Sequence, residues 1–98
     1  MAFDENRLTS VEIPDSVITI GKIAFARNQI KNLKLGKSIK VIEDGAFVHN
    51  KIETLIIPDS VTTIEKDAFY NNQIKELILG NSLETIGFRA FYQTIYQG

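Results

Sequence analysis

The chain has no cysteine and no tryptophan, one histidine, one methionine and two prolines among its 98 residues. Without thiols it can build neither a disulfide framework nor a thiolate metal site, so zinc ligation is not expected and the redox compartment stays open. A dominant sign of charge is missing too: 11 Lys and Arg stand against 12 Asp and Glu, a net charge of −1. So neutral a surface is not built to neutralise phosphates or anionic lipid, and nucleic acid is not an expected partner. No apolar run approaches the roughly 20 residues that span a bilayer, so membrane insertion is not expected. Asn-x-Ser/Thr sequons are absent, and Met1-Ala2-Phe3 has neither the basic nor the apolar region of a signal peptide. These residues begin inside a repeating pattern, so the chain reads as a piece of a longer protein whose targeting signals lie outside it.

What is present is a repeat. Ala-Phe occurs at Ala2-Phe3, Ala24-Phe25, Ala46-Phe47, Ala68-Phe69 and Ala90-Phe91, always 22 residues apart, and such a fixed interval is the mark of a solenoid. The chain divides into a partial unit at residues 1–7, full units at residues 8–29, 30–51, 52–73 and 74–95, and a tail at residues 96–98. The first full unit supplies inward candidates Leu8, Val11, Ile13, Val17, Ile20, Ala24 and Phe25. The second repeats them as Ile30, Leu33, Leu35, Ile39, Ile42, Ala46 and Phe47, and the third as Ile52, Leu55, Ile57, Val61, Ile64, Ala68 and Phe69. The fourth carries Ile74, Leu77, Leu79, Leu83, Ile86, Ala90 and Phe91. Stacked coils of this kind share one continuous apolar column, which relaxes the limit that small size sets on a globular core.

Within each unit Val11-x-Ile13 and its equivalents alternate as a strand does, until Pro14, Gly36, Pro58 or Gly80 breaks the pattern. Four short parallel strands are predicted, with Pro14 and Pro58 at strand ends where no ladder bond is needed. A second extended piece ends at Ile20, Ile42, Ile64 and Ile86. Segments such as Lys66-Asp67-Ala68-Phe69-Tyr70 are too short for a full helix and suit a single helical or 3-10 turn. Asn6, Asn28, Asn50 and Asn72 form a column where the chain turns back, and Thr94 breaks it. Inward amide side chains there would satisfy main-chain groups that have no ladder partner. Odd units carry Pro-Asp-Ser where even ones carry Gly-Lys-Ser or Gly-Asn-Ser, so units alternate in type. The alternation sets opposite charges side by side at Asp15, Lys37 and Asp59, at Lys22, Asp44 and Lys66, and at Lys31, Glu53 and Lys75. Exposed pairs of this kind contribute only about 0 to 1 kcal/mol each and serve mainly to disfavour stacking like on like.

Catalytic chemistry has no footing in this pattern. His49 shares a column with Arg27, Asn71 and Gln93 and reads as an exposed turn residue. Ser16, Ser38, Ser60 and Ser82 recur once per unit, as turn-bonding residues do and a nucleophile does not. No close carboxylate pair, calcium-loop spacing or Gly-rich phosphate loop appears, so neither catalytic residues, metal nor cofactor is expected.

What remains is surface. The outward positions of the first strands form two columns, Ser10, Asn32, Thr54 and Glu76 beside Glu12, Lys34, Ile56 and Ile78. Charge gives way there to two adjacent aliphatics, a pattern that marks a contact site or, alternatively, strand propensity with cross-unit pairing. Phe88, Tyr92, Ile95 and Tyr96 cluster where a further unit would cover the last coil, as a cap or as an end open to end-to-end self-association.

Leu55, Ile57-Pro58, Ser60-Val61, Ile64 and Ala68-Phe69, with their counterparts, resemble the BspA-type leucine-rich repeat, a bacterial family whose unit reads L-x-x-L-x-L-P-x-x-L-x-x-I-x-x-x-A-F-x-x-C. The resemblance covers residues 2–91 and departs from the pattern twice: Asn stands for the family's Cys, and one residue is missing before the next unit, which shortens the repeat to 22. It implies a β-rich leucine-rich repeat solenoid of short parallel strands and short helical or 3-10 turns, with four full coils and a partial N-terminal coil. It also implies a noncatalytic recognition module on a bacterial cell surface, binding a protein or glycan ligand through the concave strand face. The alternative is a structural or self-assembling scaffold, natural or engineered, that contacts copies of itself.

Overall fold

Alternating burial within a three-residue run produces the first side of every coil. The computed structural model describes residues 7–92, which form eight short strands. In chain order these are β1 (Ser10–Glu12), β2 (Thr19–Ile20), β3 (Asn32–Lys34), β4 (Val41–Ile42), β5 (Thr54–Ile56), β6 (Thr63–Ile64), β7 (Glu76–Ile78) and β8 (Thr85–Ile86). In β1, β3, β5 and β7 the middle residue turns inward and its two neighbours stay exposed. These four strands make one parallel sheet in the order β1-β3-β5-β7, and the two-residue strands make a second in the order β2-β4-β6-β8. Register follows the repeat: Ser10 pairs with Asn32, Thr54 with Glu76, and Ile20 with Ile42. Pro14 and Pro58 each lie two residues past a strand end, outside the ladder.

The third side departs from expectation. Among the described residues it contains no helical or 3-10 segment but a succession of tight turns. Bonds of the i to i+3 kind, such as Ala46 N–H to Glu43 C=O (3.1 Å) and Val48 N–H to Gly45 C=O (3.2 Å), alternate with bonds to the next coil. Gly45, Phe47 and His49 donate their amides upward to Lys66, Ala68 and Tyr70 at 2.8 to 3.0 Å. A helical turn would aim all these amides along the chain. The coil-to-coil bonds win because left-handed residues interrupt any helical turn: Ile23 (φ 53°), Gly45 (63°), Asp67 (58°) and Arg89 (55°), and four positions later Arg27, His49 and Asn71. Each coil thus exchanges hydrogen bonds with its neighbours on all three sides.

Inside, like side chains stack on like. Phe25, Phe47, Phe69 and Phe91 form a file of parallel rings with centroids 5.3, 5.3 and 5.5 Å apart. Phe47 and Phe69 are wholly buried, as are Ile30, Ile52, Ile74, Ile42, Ile64 and Leu55. Two inward expectations are corrected in the last coil, where Leu79 is 44% and Ile86 47% exposed. They keep their columns, but among the described residues only the third coil covers them, so one flank stays open. Phe88 and Tyr92 are exposed beside them. Residues 1–6 of the partial unit, with Asn6 and Ala2-Phe3, at one end, and Gln93, Thr94, Ile95, Tyr96 and the tail at the other, lie outside the described residues.

The alternation of unit types has a structural meaning that charge alone did not reveal. A β-carbon placed on Gly36 would lie 2.4 Å from the Pro14 carbonyl oxygen, and one on Gly80 2.5 Å from that of Pro58. Each even coil therefore presses its glycine onto the proline turn of the odd coil before it. The acidic residue after that proline completes the clasp: Lys37 N–H donates to Asp15 Oδ1 and Asn81 N–H to Asp59 Oδ1, both at 2.9 Å. Asp15 thus meets the amide of Lys37, where the charge pattern pointed to its ammonium.

The junction between the second and third coils is different. Three residue pairs join β1 to β3 and β5 to β7, but only Asn32 with Thr54 joins β3 to β5. Ile13 N–H bonds to Lys34 C=O and Ile57 N–H to Ile78 C=O, both at 2.8 Å, and among the described residues no matching bond runs from Leu35 to Ile56. Here Ser60 Oγ donates to Ile39 C=O at 2.6 Å, a bond between coils and not within a turn. The second sheet keeps the same two-residue pairing at every junction. The coils thus come in two closely joined pairs, with a looser contact between them on the first sheet only.

Candidate functional site

The first sheet presents to solvent all eight residues of the two outward columns. Ser10, Asn32, Thr54 and Glu76 lie in register with one another, Glu12 with Lys34, and Ile56 with Ile78. All are exposed. The lower half is charged: Lys34 Nζ is 3.9 Å from a Glu12 carboxylate oxygen, and beside the columns Lys31 Nζ is 3.7 Å from one of Glu53. Such solvent-exposed pairs fix polarity more than stability. The upper half is aliphatic, with Ile56 55% and Ile78 58% exposed side by side and half-exposed Leu79 next in sequence. Thr54 Oγ1 reaches a Glu76 carboxylate oxygen at 3.4 Å, a long bond that leaves both groups largely to solvent.

A concavity of about 510 Å³ opens over the first three coils of this face, with Val11 and Leu33 among its lining and Ser10, Glu12, Asn32, Lys34, Thr54 and Ile56 around them. Glu76 and Ile78 do not line it. Lys31 and Glu53 do, although the sequence pattern marks them only as part of a charge column. Their place just before each strand was the available signal, because a residue entering a short strand stands at the edge of its face.

The asparagine corner is buried and fully engaged. Asn50 Oδ1 accepts from Ile30 N–H at 3.0 Å, while its Nδ2 donates to Phe25 C=O at 2.9 Å and Phe47 C=O at 3.0 Å. Asn72 makes the same set to Ile52, Phe47 and Phe69, and Asn28 bonds Leu8 N–H and the carbonyls of Phe25 and Ala26. Each such amide closes the start of its own coil, and those of Asn50 and Asn72 also tie it to the coil before. This is framework and leaves nothing to offer a ligand.

Elsewhere the polar groups are similarly occupied. His49 is exposed and its Nδ1 lies 2.8 Å from Asn71 Nδ2, so the imidazole faces an amide and no nucleophile. Arg89 bonds Asp67 at 3.1 Å and rests over the rings of Tyr70 and Phe88. The carboxyl of Glu65 is held above its ordinary value, first by partial burial and then by the Asp44 carboxylate, with which it shares a hydrogen bond; Glu43 adds to the repulsion. Asp44, expected to face lysines, therefore meets an acid as well. No group of three or more His, Asp or Glu among the described residues is placed to hold a metal ion.

Column by column, the chain repeats one supersecondary unit whose signature can be compared with known repeats. The model of the BspA type leucine rich repeat region matches residues 1–97 in six copies. The chain belongs to the BspA-type leucine-rich repeat family. The departure of Asn for Cys leaves that membership intact, since the buried amide occupies the corner that the family pattern gives to the thiol. Among solved structures, the crystal structure of the pneumococcal vaccine antigen PcpA is similar, with a TM-score of 0.80 over 88% of this chain at 32% identity. This BspA-type chain spans 22% of that protein's length. No curated protein matches the sequence.

Proposed function

We propose that this BspA-type repeat is a noncatalytic recognition module, part of a bacterial surface protein, that binds a protein or glycan ligand through the face of its first sheet. The observation that carries the reading is the pair Ile56 and Ile78, more than half exposed and adjacent on a sheet face whose other residues are polar. Apolar neighbours held in water on a rigid face gain by being covered. Similarity to a pneumococcal vaccine antigen supports surface placement of the parent protein. The double substitution Ile56→Lys, Ile78→Lys tests the reading against a panel of host surface and matrix proteins by surface plasmon resonance. Binding by the wild-type chain and its loss in the variant, with the unfolding midpoint kept, is the expected result. Binding that survives the variant refutes the strand face as the site.

Self-association is the second reading, favoured by the exposure of Leu79, Ile86 and Phe88 on the outer side of the last described coil. Light scattering over a concentration series checks it. A constant mass would rule it out.

A further inference from the structure

We propose that the solenoid bends at one joint, the junction of the second and third coils, which opens and closes on the side of the first sheet while the second sheet and the third side hold as its pivot. The moving bodies are the coil pairs, each two units of 22 residues. Such a joint operates whether or not the strand face takes a ligand.

Its cause lies in the alternation of unit types. Gly36 settles onto Pro14, and Gly80 onto Pro58, because neither has a β-carbon, which would lie 2.4 or 2.5 Å from the proline carbonyl oxygen. Pro58 holds the same place in the third coil and does carry a β-carbon, so that coil cannot come as near to Gly36. Asp15 and Asp59 each accept an amide of the next coil, from Lys37 and Asn81. Between those two acids stands Lys37, whose ammonium has donors only and cannot accept from the Asp59 amide. Both clasps therefore form at the first and third junctions and neither can form at the second.

The bonds of the first sheet lapse where the clasps do. Lys31 N–H bonds Thr9 C=O at 2.9 Å and Lys75 N–H bonds Glu53 C=O at 2.7 Å where the chain enters the sheet. Among the described residues no equivalent bond runs from Glu53 to Lys31, and at the far end none runs from Leu35 to Ile56. The ladder thus fails on both sides of the Asn32 and Thr54 pair. The ion pair of Lys31 with Glu53 spans the gap at 3.7 Å, but it is largely in solvent and holds little. The pivot is intact. Thr62 and Glu65 donate to Lys40 and Ile42 at 2.9 Å, and Phe47 to Ala68 at 2.8 Å, as their counterparts do at the other junctions. Lys51 N–H to Ile30 C=O (2.9 Å) and Ser60 Oγ to Ile39 C=O (2.6 Å) mark its two edges. A structure opens first where the bonds holding it are fewest.

Amide hydrogen exchange on the full chain, read residue by residue by NMR, tests the joint. Leu35 and Glu53 should be about tenfold or more less protected than Ile57 and Lys75, while Thr62, Glu65 and Phe47 match Glu84, Gly87 and Phe69. Because the chain has no cysteine, Asn32→Cys with Thr54→Cys staples the joint at its registered pair, across a strand spacing of about 4.8 Å that a disulfide can bridge. The oxidised staple should raise the protection of Leu35 and Glu53 about tenfold or more, and reduction should reverse it. Lys37→Asn with Pro58→Gly supplies the acceptor and removes the β-carbon, and should do the same without a cross-link; if that variant does not fold, the staple carries the test. Equal protection at the two junctions would show the joint shut. Fast exchange that the staple leaves unchanged would mean a fixed gap. Weak protection at Thr62, Glu65 and Phe47 as well would mean that the coils separate entirely, with no pivot. Any of these three results overturns the proposal, and unchanged exchange in a folded Lys37→Asn, Pro58→Gly variant overturns its cause.

Discussion

Removing the Asn50 side chain tests the framework at its most connected point. The residue is 6% exposed, and the group it caps, Ile30 N–H, belongs to a wholly buried residue. Asn50→Ala removes the partner of the Ile30 amide and one partner of each of the Phe25 and Phe47 carbonyls at once, with a longer bond to Val48 C=O at 3.4 Å. A buried group left unpaired costs about 1 to 3 kcal/mol. The Ile30 N–H is left without an acceptor, whereas the Phe25 and Phe47 carbonyls still accept from Asn28 and Asn72, so about 3 kcal/mol is expected, most of it from the amide. For a chain of this size that lowers the unfolding midpoint by roughly 12 to 24 °C. Asn50→Asp separates acceptor from donor. It keeps an oxygen for Ile30 but turns a carboxylate toward two carbonyl oxygens, so it should be at least as damaging at neutral pH and should recover as acid protonates the group. Far-UV circular dichroism during heating and urea titration reads both variants. A loss below about 0.5 kcal/mol in Asn50→Ala, or wild-type stability for Asn50→Asp at neutral pH, would refute the claim that the amide is what the corner needs.

Three further outcomes follow from the same geometry. Phe47→Ala removes the middle of the ring file and should cost about 3 to 5 kcal/mol by denaturant titration, since its neighbours Phe25 and Phe69 are held by backbone bonds and cannot close the gap. Gly36→Ala puts a methyl carbon 2.4 Å from the Pro14 carbonyl oxygen, so the first two coils must part; a loss of about 3 kcal/mol is expected, and a neutral substitution would contradict the close pairing. Glu65 has a raised pKa in the folded chain, so between its ordinary and raised values the folded state binds more protons than the unfolded one. Stability must then fall as pH rises through that window, and Glu65→Gln should remove that part of the pH dependence in thermal scans; an unchanged profile would contradict the closeness of the acid to Asp44.

Much of this architecture was legible without coordinates because one residue pattern is repeated. The recurrence of Ala-Phe and of Ile20, Ile42 and Ile64 implies that equivalent residues share an environment, and stacking alone satisfies that for every column at once. Alternation at Val11-x-Ile13 likewise points to strands. The third side reads as a helical turn in the sequence because Lys66-Asp67-Ala68-Phe69-Tyr70 has nothing in its composition to announce φ of 58° at Asp67. The candidate face was readable as two columns, yet Lys31 and Glu53 entered it only through their position at the strand edge.

The sequence by itself determined the period, the inward columns and the kinship, since these depend only on which side chains recur and at what interval. Tertiary structure alone decided how the coils pair. Proline and glycine alternate visibly in the chain, but only the 2.4 Å approach of Gly36 to the Pro14 carbonyl shows which neighbour each even coil presses against. A distance between separate turns is set by the packing of both and appears in neither taken singly.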